Sequence, residues 1–238
     1  MNNSSERIRV WDLPLRLFHW LLVITIALAF LSSEEDSGLN DWHVLSGWVA
    51  AVLIAFRLVW GFVGGEHSRF SDFIRPSRIA HHVADLARGK REPSLGHNPL
   101  GAVAVAVLLA LTVVTVWAGA FGGEAAEDLH ETVAWVLLAM IAVHVIAVVV
   151  MSMLDHENLV RAMVTGNKPA ARHPGASDAR SPTAAAWAIG AIVVGVTSYL
   201  IVQYDPDAFV KRSAESFEHR ANAGGAAAKV ENEQSDDD

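Results

Sequence analysis

The chain contains no cysteine, and this absence excludes several kinds of redox and metal site. Disulfide scaffolds, thiolate zinc sites, cysteine nucleophiles and iron–sulfur clusters all need cysteine. Covalent attachment of a c-type haem is excluded too, because it requires a Cys-x-x-Cys-His sequence. Any metal or haem must therefore be bound by other side chains.

Charged residues are also scarce. They make up 18% of the 238 residues, whereas hydrophobic residues make up 52% and the mean hydropathy is +0.30. A soluble domain usually carries about 25% charged residues. The net charge of −8 argues against a nucleic-acid partner. This composition indicates a membrane protein.

Five apolar segments are long enough, or nearly so, to cross a bilayer, which takes about 20 helical residues. They are Pro14–Leu31, Val44–Val63, Pro99–Ala120, Thr132–Met153 and Thr183–Gln203. The first segment could be the core of a signal peptide, but the sequence SSEED that follows it has no cleavage site. The pattern predicts an all-α membrane protein with five transmembrane helices.

The distribution of basic residues predicts the orientation. Fourteen of the eighteen Lys and Arg residues fall in the N-terminus, at the end of the second segment, and in the loops 64–98 and 154–183. The loops 32–42 and 121–129 contain none and are acidic. The positive-inside rule then places the N-terminus in the cytoplasm and, after five crossings, the C-terminus in the periplasm.

Four histidines lie in or at the ends of the apolar segments, where ionisable groups are costly and are candidates for function: His19, His43, His130 and His144. His130 and His144 are fourteen residues apart, so on one helix they share a face and are separated by about 21 Å. Alternating helix directions place His19 at the depth of His144, and His43 at the depth of His130. We therefore predict an inner pair and an outer pair.

Two pairs of neutral imidazoles inside a helical bundle favour two bis-histidine haems. Zinc and di-iron are the alternatives. Zinc needs three or four ligands around one centre, whereas these histidines lie at two levels. A di-iron site needs Glu residues that the helix interiors mostly lack. A simple hydrogen bond to a neighbouring helix is the alternative for each single histidine.

Two arginines lie near the cytoplasmic ends of the first two segments. Arg57 follows His43 by fourteen residues, and Arg16 precedes His19 by three. Each guanidinium either reaches the lipid headgroups or pairs with a haem propionate, whose carboxylate matches the geometry of arginine. Both residues are candidate cofactor-binding residues.

Several motifs resemble those of the bacterial cytochrome b561 family, which includes the b-type cytochrome subunit of nickel–iron hydrogenases. VWDLPLRLFHW (Val10–Trp20) is similar to the start of its first helix, and WGFVGGEHSRFSDF (Trp60–Phe73) to the end of its second. GHNPLG (Gly96–Gly101) is similar to the start of its third helix, and His130-Glu131 with His144 to its fourth.

The resemblance covers about residues 8–168. It implies a four-helix domain, residues 1–168, that holds two non-covalent haems b with His19, His43, His130 and His144 as axial ligands. Beyond this domain we predict a cytoplasmic linker at 169–183, an extra transmembrane helix at 184–203 and an acidic, partly disordered periplasmic tail at 204–238. The fifth segment contains no histidine, so we expect it to bind no haem.

The leading functional hypothesis is an electron carrier of the bacterial inner membrane, part of a respiratory chain. It connects the quinone pool with a periplasmic redox protein, either a hydrogenase or a cytochrome c attracted to the acidic outer loops. A self-contained quinone or superoxide oxidoreductase is the alternative. A non-haem protein whose histidines serve packing or proton transfer is a third.

Overall fold

The computed structural model describes residues 7–33, 39–73, 95–96 and 99–210. Five long helices run through them, and we number these α1 to α5 in chain order. Their bounds are Leu13–Leu31, Asn40–Val63, Pro99–Phe121, Glu127–Leu154 and Ala184–Tyr204. Each is long and apolar enough to cross a membrane. The predicted helical membrane architecture with a fifth helix is confirmed.

Two helices begin earlier than the apolar segments that predicted them. Helix α2 starts at Asn40 and α4 at Glu127, so each gains at least one polar turn. The first turn of α4 carries Glu127 and Asp128, whose negative charges are favourable near a helix N-terminus. His130 therefore lies inside regular helix, where its position is fixed by the backbone.

Helices α1 to α4 form the bundle. Helix α1 packs on α2, α3 packs on α4, and α2 contacts α3. Helices α1 and α4 touch each other little, although they carry His19 and His144. We call the end where α1 begins and α2 ends the inner end, and the opposite end the outer end.

Helix α5 lies against the side of α2. Gly190 allows this close approach, because a Cβ atom there would lie 3.1 Å from Phe56 and 3.2 Å from Trp60. At the outer end, Trp48 of α2 donates a hydrogen bond from Nε1 to Asp205, just after α5. Helix α5 is thus an addition to the outside of the bundle.

A two-stranded antiparallel ribbon at the inner end joins the two ends of the four-helix region. Strand β1 (Arg7–Arg9) pairs with β2 (Asn167–Pro169), with Ile8 opposite Lys168. A short helix, Leu159–Thr165, precedes β2 and ends at Gly166, whose φ of 82° favours glycine. Its carbonyl accepts hydrogen bonds from the backbone N–H groups of Val10 and Trp11.

The segment predicted as a linker is attached to this ribbon. The Ala179 N–H donates to the Arg9 carbonyl, and the Arg180 N–H donates to Glu66 Oε2. The hydrogen bond from the Arg180 backbone lowers the pKa of Glu66, and the charge of the Arg180 side chain adds to the effect. These contacts fix the path of the chain from α4 to α5.

A buried group of ionisable side chains stabilises the same region. Glu157 accepts from Lys168 Nζ at 3.0 Å and lies 3.2 Å from His173 Nε2. All three side chains are almost completely buried, so their polar atoms need partners within the protein. The sequence did not predict this group.

The domain boundaries stay predictions. The loop residues 34–38, most of the loop 64–98 and the tail beyond 210 lie outside the described residues.

Candidate functional site

One face of α4 carries both of its histidines. His130, Leu137 and His144 follow one another at intervals of seven residues and point inward. Most of their neighbours are exposed on the surface of the bundle. Leu137 is buried midway between the two histidine levels. His130 and His144 therefore lie on the same face of α4, as their spacing predicted.

The structure brings the predicted outer pair together. The ring centres of His43 and His130 are 5.9 Å apart, and the ring planes are inclined at 79°. An imidazole nitrogen bonds a metal ion such as zinc at about 2 Å. The two rings are therefore close enough for both to reach one ion.

Backbone carbonyls hold both outer rings in the same way. His43 Nδ1 lies 2.8 Å from the Ala29 carbonyl of α1, and His130 Nδ1 lies 2.9 Å from the Thr115 carbonyl of α3. A carbonyl oxygen only accepts, so each Nδ1 carries the hydrogen and each Nε2 keeps its lone pair free. This is the arrangement in which histidines bind metals, with the second nitrogen fixing tautomer and ring orientation.

Two glycines lie next to the outer pair, where a larger residue would add a side chain. A Cβ atom at Gly119 of α3 would lie 2.7 Å from both Cε1 and Nδ1 of His130, so only glycine lets α3 come this close. Gly47 lies one turn after His43 on the same face of α2, and a Cβ there would meet nothing within 4 Å. The space beside His43 is therefore open.

The predicted inner pair is arranged differently. His19 and His144 are within electrostatic range of each other, on the two helices that touch little. His19 Nδ1 is buried and has no hydrogen-bond partner among the described residues. Among the residues that the structure describes, no backbone carbonyl holds either ring of this pair in the manner of the outer pair.

Arg57 and Arg16 also have buried nitrogen atoms without partners in the described part of the chain. Arg57 is only 2% exposed, its Cζ lies 4.7 Å from the centre of the Phe70 ring, and Nη1 is unpaired. Arg16, one turn before His19, has an unpaired Nε. A buried donor without a partner is costly, so these atoms are candidates to bind an anionic group other than the described residues.

Asp12 positions the inner ends of α1 and α2, a role that the sequence did not reveal. Its carboxylate accepts from the Leu15 N–H at the start of α1 and from Trp60 Nε1. It also accepts from the Gly65 N–H and from Ser68 Oγ, just beyond α2. One carboxylate therefore fixes the positions of His19 and Arg57 relative to each other.

The alternative metal sites lack ligands in the residues that the structure describes. Nowhere among them do three or more His, Cys, Asp or Glu side chains come together around one point. The histidines instead come in twos, as they do for a group that takes one ligand on each face.

A helical membrane bundle with histidines at two depths is typical of membrane-bound b-type cytochromes. Residues 10–166 match the family described as prokaryotic cytochrome b561. The chain belongs to this family, which confirms the resemblance seen in the motifs. It is thus a multi-span electron-transport protein that binds haem b, and the match ends before α5.

The similar proteins include three named as probable Ni/Fe-hydrogenase B-type cytochrome subunits. That of Bradyrhizobium diazoefficiens is 23% identical over 209 residues, which cover 67% of this chain and 85% of the relative. That of Azotobacter vinelandii is 24% identical, with 69% and 92% covered. That of Rhizobium leguminosarum bv. viciae is 22% identical, with 69% and 90% covered. No solved structure matches the chain.

Proposed function

We propose that this protein carries electrons across the bacterial inner membrane between the quinone pool and a periplasmic redox protein. Two non-covalent haems b serve as carriers, one bound by His43 and His130 and the other by His19 and His144. The observation that carries this proposal is the pair of hydrogen bonds that leave Nε2 of His43 and His130 free, 5.9 Å apart between ring centres.

The residues present fit haem in three respects. The outer imidazoles have the required tautomer, the space beside Gly47 is open, and buried nitrogens at the inner level have no partner among the described residues. Bound haem iron supplies reversible one-electron transfer. The polypeptide supplies the ligands, their orientation and an apolar surrounding.

Arg57 and Arg16 are proposed to pair with propionate groups at the inner level. The buried, unpaired Nη1 of Arg57 supports this role, since a guanidinium in contact with open headgroups would be exposed. Arginine binds carboxylates through two parallel hydrogen bonds, which gives orientation as well as attraction.

The orientation and the partner are proposed from charge and from the relatives. The inner end carries the basic residues and the outer end carries acidic ones, including Asp41, Glu127 and Asp128. We therefore place the N-terminus in the cytoplasm and the C-terminus in the periplasm. The names of the relatives favour a hydrogenase as the partner, and the acidic outer face favours a basic cytochrome c.

A shallow, open cavity at the inner end of α4 is the place that we propose for the quinone ring. Its volume is about 350 Å³, and it is open enough to admit a ring from the side rather than to enclose one. Val149, Met153 and Val160 form an apolar wall that is open on the membrane side, and Ser152 and His156 add polar groups. An amphiphilic ring with hydrogen-bonding oxygens suits such a lining.

Replacing His156 with asparagine tests this cavity. Asparagine tolerates the left-handed backbone at this position, where φ is 47°, so the change removes the imidazole with little strain. Losing one hydrogen bond is expected to raise the KM for quinol about three- to tenfold. Haem content should not change. Val164→Ala is the control, because Val164 is exposed on the neighbouring short helix. If the KM for quinol is the same in the His156→Asn and Val164→Ala proteins, His156 is not part of the site.

Electron transfer through the whole protein is tested in vesicles. The purified chain is reconstituted in liposomes that contain quinone with a hydrogenase and hydrogen outside, or that contain quinol with oxidised cytochrome c outside. We expect haem reduction followed by quinone reduction in the first case and by cytochrome c reduction in the second, all absent without the chain. Superoxide production or quinol oxidation by the chain alone, without any protein partner, would favour the self-contained oxidoreductase instead.

A further inference from the structure

We propose that Glu157 donates protons to the quinone, and that His173 supplies Glu157 with protons from water at the inner end. The inference rests on the proposed function, because it takes the cavity at the inner end of α4 as the quinone site. Glu157 lines that cavity and is also the centre of the buried group that it forms with Lys168 and His173. One residue thus connects the cavity with a chain of ionisable side chains.

Quinone reduction at this cavity consumes protons as well as electrons. One quinone takes up two electrons, which the proposed carriers supply, and two protons, so that each ring carbonyl becomes a hydroxyl group. The cavity opens towards the membrane past the exposed apolar side chains of Val149, Met153 and Val160, and lipid supplies no protons. The protons therefore have to come through polar groups of the polypeptide. Quinol oxidation uses the same groups in the reverse direction.

The contact between His173 and Glu157 has the geometry that proton transfer needs. His173 Nε2 lies 3.2 Å from Glu157 Oε1, which is within hydrogen-bond distance. An imidazole can take up a proton on one nitrogen and release a proton from the other. His173 itself is buried, but its neighbours Arg172 and Pro174 are exposed, so this turn lies at the protein surface. A proton can pass from water to Glu157 without a movement of either side chain.

Lys168 balances the charge of Glu157. Its Nζ lies 3.0 Å from Oε2, the oxygen that His173 does not contact. Asp155 and His156 are the ionisable groups that precede Glu157 at the end of α4. Ionised Glu157 and Lys168 together have no net charge, so a proton taken up by His173 leaves the buried group with one positive charge. That charge attracts the negative oxygen of the reduced quinone, which receives the proton.

The chain turn after α4 brings Glu157 to the cavity. His156 has a φ of 47°, which is uncommon for any residue except glycine. The turn is closed by the Glu157 N–H, which donates to the Ser152 carbonyl at 3.0 Å. Asn158 then caps the short helix Leu159–Thr165. As a result Ser152, His156 and Glu157 line the same cavity, two of them at its polar side and the third in contact with His173.

Rapid mixing of the full-length protein in detergent tests the role of Glu157. The haems are reduced with dithionite, the excess is removed, and a ubiquinone with a short alkyl tail is added without oxygen while haem oxidation is followed by absorbance. Glu157→Gln keeps the size of the side chain but cannot carry a proton. It should slow haem oxidation at saturating quinone about a hundredfold, as expected for the loss of a positioned proton donor. The half-saturating quinone concentration should stay close to that of the wild type.

Lys168→Gln is the matched control, because it breaks the same buried ion pair and leaves the carboxylate and His173 in place. It should keep most of the wild-type rate. Glu157→Asp serves where Glu157→Gln does not assemble. It keeps the charge and withdraws the carboxylate by one carbon, so it should slow haem oxidation in the same direction.

His173 acts through Glu157, and two further measurements test that role. His173→Ala should slow the same reaction, and imidazole added to the buffer should restore part of the rate, which a purely structural role would not allow. Infrared difference spectra between the oxidised and reduced protein give a readout that does not depend on rate. With quinone present, the wild type should show a change in a carboxyl band that is missing in Glu157→Gln.

The outcomes separate this inference from the proposed function. If quinone does not oxidise the haems of the wild type, the proposed function is wrong. If the wild type reacts and Glu157→Gln reacts at the same rate, only the inference is wrong. Equal losses of rate in Glu157→Gln and Lys168→Gln would also overturn it, because Glu157 would then act by holding the buried group together.

Discussion

We expect the replacement of His130 by alanine to remove one of the two proposed haems and to leave the other in place. His130 is half of the outer pair, and its partner His43 cannot hold a six-coordinate haem alone. His144, which belongs to the inner pair, lies about 21 Å further along α4. The haem content of the purified variant should fall to half that of the wild type. His144→Ala should halve it too, with loss of the other haem.

The adjacent residues of α4 provide controls. Leu129 is 42% exposed and Val145 is 53% exposed, so alanine at either position removes a side chain of similar size on another face. Both variants should keep two haems. The pairing is wrong if the His130→Ala and His144→Ala variants each retain both haems. It is also wrong if the redox potential and the spectrum of the remaining haem show that both variants lost the same haem.

We expect the replacement of Asp12 by alanine to destabilise the protein by at least about 3 kcal/mol. The change removes the N-terminal cap of α1, which costs about 1 kcal/mol. It also leaves Trp60 Nε1 and Ser68 Oγ without their acceptor, and an unsatisfied buried donor costs about 1–3 kcal/mol. The midpoint of thermal unfolding in detergent measures the effect.

Asp178→Ala is the matched control for Asp12. Asp178 also binds the N-terminal segment, through the Arg9 N–H and side chain, but its side chain is 58% exposed. We expect a loss of less than about 1 kcal/mol there. Equal unfolding midpoints for the two variants would show that Asp12 does not hold the inner ends of α1 and α2 together.

The sequence predicted the parts of the fold that depend on local composition and helix periodicity. Long apolar runs identified five helices, and the spacing of fourteen residues placed His130 and His144 on one face of α4. The alternation of helix direction was enough to match His43 with His130. These features need no knowledge of how side chains pack.

The parts that the sequence did not predict are contacts between distant segments. Strand β1 pairs with β2 across some 160 residues, and three residues are too few to show an alternating pattern. The acceptors of His43 and His130 are backbone carbonyls, which any residue has. Gly119 and Asp12 were visible as residue types, but their roles depend on which helices approach each other.

The haem content of the purified chain, determined from its pyridine haemochrome spectrum and its protein concentration, decides whether the four histidines are haem ligands. We expect two haems b per chain, released without any covalent remainder because the chain has no cysteine. A folded chain that carries one haem, or none, would contradict it.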